Sequence, residues 1–299
     1  MKKPPAQAAA QPQKPLTRAA LIRGRFLSNR LAVAGLGVLV LLYLAAFLIP
    51  PFLAWDYQVI DYGHALEPPG ARHWFGTNSI GQDVLAQTLR GLQKSLTIGL
   101  LVAVIAAVIA AFVGSVAGYL GGWAERAISW GVDLLLVLPG FLIIAVASPL
   151  FLGHSWLFLV LLLAMFSWML SARVVRALTI SLKQREFVIA AQYMGASPAK
   201  VVFSHILPNV ASFLIIDTTL TVGSAIMSET GLSFFGFGVQ PPDISLGTLI
   251  AEGSFAALPF PWLFAFAGGA LVLTVLAANF AGDGLRDAFD PGAQAGTQQ

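Results

Sequence analysis

Three acids sit in apolar surroundings, Asp133, Asp217 and Glu229. A carboxylate in hydrocarbon is costly, so such groups face a bundle interior or a wet cavity. Asp217 lies nine residues past Pro208, about 14 Å along a helix at 1.5 Å per residue, which is near mid-bilayer depth. The chemistry these acids could do is to line a substrate path and attract an ammonium group. The alternative is structural, either capping backbone groups or pairing with a basic residue on a partner subunit. Nothing else in the chain makes a reactive constellation. There is no G-x-x-x-x-G-K-[ST] to cradle nucleotide, and no H-E-x-x-H. There is no G-x-S-x-G elbow. His64, His73, His154 and His205 are scattered without metal spacing, and His205 reads as a capping or packing group. With no cysteine, disulfides, thiolate metal sites and thiol nucleophiles are excluded. No catalytic and no metal-binding residue is expected, so energy for any vectorial work must come from a partner.

These residues must be positioned by membrane helices. The 299 residues are 57% hydrophobic and only 10% charged, with mean hydropathy +0.79, where soluble domains carry about 25% charged residues. Met1 to Arg30 holds seven basic residues and no acid. It reads as a disordered start followed by a basic interfacial segment, Arg18 to Arg30, drawn to anionic lipid on the cytoplasmic side. Leu31 to Trp55 is uncharged and lacks a cleavage site, so it is a retained span of about 20 residues ending near Pro50-Pro51. Asp56 to Gly91 is an outer region. Ser95 to Ala124 is the second span, with Gly114, Gly118 and Gly122 as a small-residue stripe for close helix approach. Ala127 to Ala172 holds the third and fourth spans, with the break at Ser148-Pro149 through Gly153-His154-Ser155. Pro208 to Phe235 is the fifth span and Pro261 to Ala281 the sixth, and Asp283 to Gln299 is a polar tail.

Of the 17 Lys and Arg, only Arg72, Arg90 and Lys94 fall in outer segments, which places both termini in the cytoplasm. The expected fold is all-α, one polytopic domain of six transmembrane helices. Its expected division is a basic tail (1–30), a first helix (31–53), an extracytoplasmic region (54–91), a membrane domain (92–285) with a coupling loop at about 179–208, and a tail (286–299).

The longest charged connection in the second half runs from Arg185 to Asn209. Phe187, Ala190, Ala191 and Met194 recur at helical spacing and share a face. Gly195 is a helix stop, and Ser197-Pro198 is the N-cap and first residue of a second helix. A small apolar face with one knob at Phe187 suits docking into a groove on another protein.

This stretch resembles the EAA loop of permease subunits of ABC importers, through Ala190-Ala191, Gly195 and Ile206-Leu207-Pro208. Ile189 stands where the pattern has glutamate, and the only nearby carboxylate is Glu186, one helical turn earlier. Phe75-Gly76-Thr77-Asn78 and Gly81-Gln82-Asp83-Val84 resemble a signature of dipeptide and oligopeptide permeases, with Asn78 and Gln82 replacing the usual Asp and Arg. Ser228 to Gly253 resembles the outer segment of the same subfamily. The likeness runs from about Arg25 to Pro291.

The resemblance implies the type I ABC importer permease fold in the cytoplasmic membrane and inward movement of oligopeptides or dipeptides. It also implies four partners: a second homologous permease subunit, two ATP-binding subunits carrying ATP and magnesium, and an extracytoplasmic solute-binding protein. No nucleic acid is expected. Glu186, Phe187, Ala190, Ala191, Met194 and Gly195 would then form the ATPase-coupling loop, and Ala191→Arg should uncouple transport without unfolding the bundle. Nickel chelates are carried within the same subfamily. A secondary transporter using Asp133 and Asp217 would show inverted repeats, and a membrane enzyme using Glu229 or His205 would need a second catalytic group.

Overall fold

The computed structural model describes residues 18–151 and 155–289. The expected tail at 1–17, Gly153 and His154 of the expected outer turn, and the final residues 290–299 lie outside the described residues. Among the described residues the fold is all-α, and the only β pairing is two isolated bridges, Ile60 with Gln82 and Thr77 with Asp83.

Helix α1 (Arg18–Ser28) leads into α2 (Arg30–Leu48). Asn29 caps α2, its side-chain oxygen accepting from the Ala32 N–H at 3.2 Å, and its amide nitrogen donates to Asp287 Oδ2 at 3.4 Å. Thus the two ends of the described chain lie together.

Helix α3 (Val84–Leu120) is 37 residues long, about 55 Å at 1.5 Å per residue, against a hydrocarbon layer of about 30 Å. The sequence suggested a second span beginning at Ser95. Instead one continuous helix starts eleven residues earlier, so the boundary expected at residues 91 and 92 falls inside it. The reason is local. Asp83 Oδ1 accepts from the Ala86 N–H at 2.8 Å, which fixes the start, and no proline follows. Gly91 does not break the helix. It is where a Cβ would press to 3.0 Å on the Ser245–Leu246 backbone.

Helix α3 is the centre of the bundle. Around it pack α6 (Leu157–Ser167), α7 (Met169–Lys183), α10 (Leu207–Phe234), α11 (Leu246–Ser254), α12 (Trp262–Phe289) and α2. Two of the three striped glycines serve the contact with α7. A Cβ on Gly114 would meet the Ala172 carbonyl at 2.6 Å, and one on Gly118 the Arg176 carbonyl at 2.7 Å. Gly122 makes no such contact. It has φ +59° with open space around it, and it begins α4 (Gly122–Val137).

The third span is broken where the sequence reading had it continuous. Leu138 is extended ahead of Pro139, and α5 begins at Gly140 (Gly140–Ala147), with a 73° bend between the two arms. Proline disfavours helical backbone in the residue before it and lacks an N–H of its own. A second bend of 44° separates α6 from α7. Among the described residues four helices are long and apolar enough to span a membrane alone, and counting each bent pair as one span gives six. The last helix continues to Phe289, past the expected polar tail start at Asp283, with Arg286 in its final turn, where a cation is favourable.

Candidate functional site

The connection after α7 folds as two short helices, α8 (Glu186–Tyr193) and α9 (Pro198–Val201). Gly195 has φ +80° with nothing near its missing Cβ, so conformation rather than space requires glycine. Its N–H donates to the Gln192 carbonyl at 2.9 Å, and the Ala196 N–H reaches back to Ala191 at 3.1 Å. That pair of bonds closes a helix in a Schellman motif. Ser197 then caps α9, its Oγ accepting from the Lys200 N–H at 3.3 Å, with Pro198 as first residue. The expected helix, stop and restart are all present.

Between α9 and α10 lies a single π turn, Val202–Ile206. Pro208 offers no N–H to the carbonyl four residues back, while the Leu207 N–H bonds Val202, five back. The His205 carbonyl takes the Asn209 side-chain amide at 2.6 Å. The His205 ring sits 6.4 Å from that of Phe187, which gives His205 a packing role at this end of the bundle.

One side of α8 is seated in the chain itself. Val188 is fully buried in a cluster with Val175, Val201, Val202, Ile206 and Val210, and Ala191 is 4% exposed. Gln192 donates to the Tyr119 hydroxyl at 3.4 Å, and Lys183 donates to the Tyr119 carbonyl at 2.7 Å, so the loop is tied to the end of α3. This corrects the predicted docking face. Ala191 faces inward, and an arginine there would disturb the seat of α8, so Ala191→Arg is not the clean uncoupling change expected. The outward surface is Glu186, Phe187, Ile189, Ala190, Tyr193 (88% exposed) and Met194 (82% exposed).

The three acid candidates have separate settings. Asp217 accepts from Ser171 Oγ at 2.6 Å and is partly exposed. Asp133 is exposed and pairs with Arg173 of this same chain, while Glu125 pairs with Arg176 at 2.6 Å, so α4 and α7 are joined by two ion pairs. The partner-subunit cation considered for Asp133 is not needed. Glu229 is 0% exposed and does not face a path. It accepts from Ser233 Oγ at 2.6 Å and Ser95 Oγ at 3.2 Å. Ser95 Oγ in turn accepts from the Leu246 N–H at 3.1 Å, and Ser245 lies 3.4 Å from Ser233. Glu229 is therefore the hub that joins α3, α10 and the start of α11. Fully satisfied, such a hub specifies one packing of the three helices.

Sequence reasoning missed His73. It is 1% exposed, with Nδ1 at 2.8 Å from Asp83, the residue that caps α3, and Nε2 at 3.6 Å from Asp61. Asp61 also meets His64 and Arg72, each at 3.0 Å. The hydrogen bond from His64, and then the Arg72 charge, hold the Asp61 carboxyl below its ordinary range. The two residues that depart from the expected signature bond each other: Asn78 Nδ2 donates to Gln82 Oε1 at 2.9 Å. The neighbouring segment between α10 and α11 is tied to α3 by Lys94, which pairs with Asp243 at 2.8 Å and lies 4.4 Å over the Trp156 ring.

A six-span helical bundle with a rigid, exposed helix presented at one end has the architecture of an importer's membrane component. The comparisons agree. Residues 110–294 match the family described as binding-protein-dependent transport system inner membrane component, and residues 17–69 match the N-terminal TM domain of oligopeptide transport permease C. The chain belongs to this family. It is 54% identical over 276 residues to the oligopeptide transport system permease protein OppC of Mycobacterium tuberculosis, covering 92% of this chain and 95% of that one. The OppC of Bacillus subtilis is 36% identical over 267 residues, covering 89% and 87%. Among solved structures, an inward-facing conformation of the MetNI methionine ABC transporter matches with TM-score 0.55 at 19% identity, covering 68% of this chain and 97% of that chain. That likeness concerns the fold.

Proposed function

We propose that this chain is the permease subunit of an ABC importer that carries peptides inward across the cytoplasmic membrane. Relatives at 54% and 36% identity that carry the name of oligopeptide permeases support the peptide cargo. On this reading ATP is hydrolysed with magnesium on two partner subunits, a second permease completes the path, and a solute-binding protein delivers cargo from outside. Both termini face the cytoplasm, in keeping with six spans and the excess of Lys and Arg at that end.

The observation that carries the coupling role is the outward face of α8. Glu186, Phe187, Ile189, Ala190, Tyr193 and Met194 project from a helix whose other side is locked by Val188, Ala191 and the Gly195 turn. A helix so held transmits a push from an ATPase to α7 and α10 as a rigid body. Asp217 is the remaining candidate for the substrate path, where it would attract a peptide ammonium. Affinity purification of the full chain from its native membrane in mild detergent, with mass spectrometry of what accompanies it, tests this reading. Recovery of a second six-span permease and P-loop ATPases is expected, and purification of the chain alone under several detergents would contradict it.

A further inference from the structure

A groove of about 470 Å³ runs along α10, between the face from Ala211 to Val222 and residues Leu39 and Tyr43 of α2, with Leu100 of α3 and Ala278 of α12 also lining it. Helices α2 and α10 each pack on α3 and α12, and the groove is the gap left between them. Leu39 is the tenth of the 19 residues of α2, so the groove lies at hydrocarbon depth. It is open along one side, where Leu100 and Ile215 are exposed. Val104 and Val108, also exposed, continue the Leu100 face of α3 one and two turns further on. No charged residue lines the groove. Its three hydroxyls are already used within the chain: Tyr43 donates to the Leu96 carbonyl at 3.3 Å, Thr218 to Leu214 at 2.6 Å and Thr219 to Ile215 at 2.9 Å. A ligand here therefore has only apolar contacts to make.

The dimensions choose between a partner helix and an alkyl chain. Ala211 to Val222 is about 17 Å along α10 at 1.5 Å per residue, close to half of the roughly 30 Å hydrocarbon layer, the reach of one leaflet. Spread over that length, 470 Å³ gives a cross-section of about 28 Å². A helix 10–12 Å in diameter needs about 80 Å² or more. An alkyl chain is about 4–5 Å across when its carbons sit at contact distance, which takes about 20 Å². The groove is thus wide enough for an alkyl chain and too narrow for a helix. We propose that it holds one acyl chain of a bilayer phospholipid, wedged between α2 and α10 and packed against α3. Lipid tails are as apolar as leucine, so no hydrophobic gain holds the chain there. What holds it is contact on three sides, where a lipid at a convex helix face is touched on one. The proposal is independent of what the transporter carries.

The test uses the full chain purified with whatever subunits accompany it. The complex is placed in nanodiscs that contain a phosphatidylglycerol with a diazirine in its acyl chain. It is then exchanged extensively into lipid-free detergent and irradiated, so that only retained lipid reacts, and labelled peptides are mapped by mass spectrometry. Labelling at Leu39–Tyr43 and Ala211–Val222 should exceed that at Val104 and Val108 by roughly fivefold or more, as expected for contact on three sides rather than one. Thr218→Phe and Ala211→Phe, which fill the groove at two levels, should each lower the groove labelling by roughly the same factor and leave Val104 and Val108 unchanged. Thermal unfolding of each variant checks that it folds. Two variants that fold and label like the parent overturn the proposal. So does a parent complex whose groove labels no more than Val104 and Val108, the result expected if a partner subunit covers it. Because retained lipid is read directly, either result is distinct from a failure to transport peptide.

Discussion

Placing arginine at Ala190 and at Ala191 in turn separates docking from folding within one helical step. Ala191 is 4% exposed, on the helix whose Val188 sits in the apolar cluster with Ile206. Arginine there overfills the contact, at a cost of about 1–3 kcal/mol, and takes a charge out of water, at several kcal/mol more unless α8 swings away. A loss of roughly 3 kcal/mol in a protein of this size corresponds to about 5–10 °C in Tm. Ala190 is exposed, so arginine there should stay within about 0.5 kcal/mol of the parent. If the outward face of α8 is the ATPase contact, a bulky charge at Ala190 should still reduce peptide uptake and peptide-stimulated ATP hydrolysis by tenfold or more, the size of an interface hot spot of about 2 kcal/mol. The assays are thermal unfolding of the purified complex, followed by uptake in proteoliposomes. Normal uptake by Ala190→Arg, or an unchanged Tm in Ala191→Arg, would refute the reasoning.

Other perturbations follow from the same geometry. Gly195→Ala forces a side chain into φ +80° and should cost about 1–2 kcal/mol, visible as a lower Tm and faster proteolysis after Gln192. Glu229→Ala should cost roughly 3 kcal/mol, since it opens a cavity and strips the acceptor from Ser95 and Ser233, whereas Glu229→Gln, which keeps an acceptor and the volume, should cost less. Arg173→Ala should change stability by no more than about 1 kcal/mol, because Arg173 and Asp133 are both substantially exposed. Ionised Asp61 stabilises the segment before α3 at any pH above its unfolded range near 4, and that contribution is lost as pH falls through its depressed folded value. A Tm profile measured from pH 7 down to 3 should therefore flatten in Asp61→Asn.

How far the fold was legible depended on whether a signal was local. The stop at Gly195 and the restart at Ser197-Pro198 are written in neighbouring residues, so α8 and α9 could be read from spacing. The 73° bend was missed because Leu138-Pro139-Gly140 lies inside an uncharged run, and attention to charge as the mark of a turn passed over the proline. The unbroken α3 was missed for the converse reason. Arg90 and Lys94 suggested a segment outside the membrane, but a 37-residue helix simply projects beyond the hydrocarbon. Periodicity put Phe187, Ala190, Ala191 and Met194 on one face, yet it cannot tell a face turned to the chain's own core from one turned to a partner. Val188 and Ala191 take the first orientation and Tyr193 and Met194 the second. The role of Glu229 was not readable at all, since its partners come from Ser95 and Ser233, and the hydroxyl of Ser245 joins the same network from a third segment.

Uptake of a labelled peptide into proteoliposomes tests the central claim most directly. The intact complex would be reconstituted with its binding protein and peptide outside and ATP inside. Accumulation that requires internal ATP and magnesium, persists when ion gradients are collapsed, and disappears with Ala190→Arg is the predicted result. Accumulation that proceeds without ATP and follows an imposed ion gradient would contradict it.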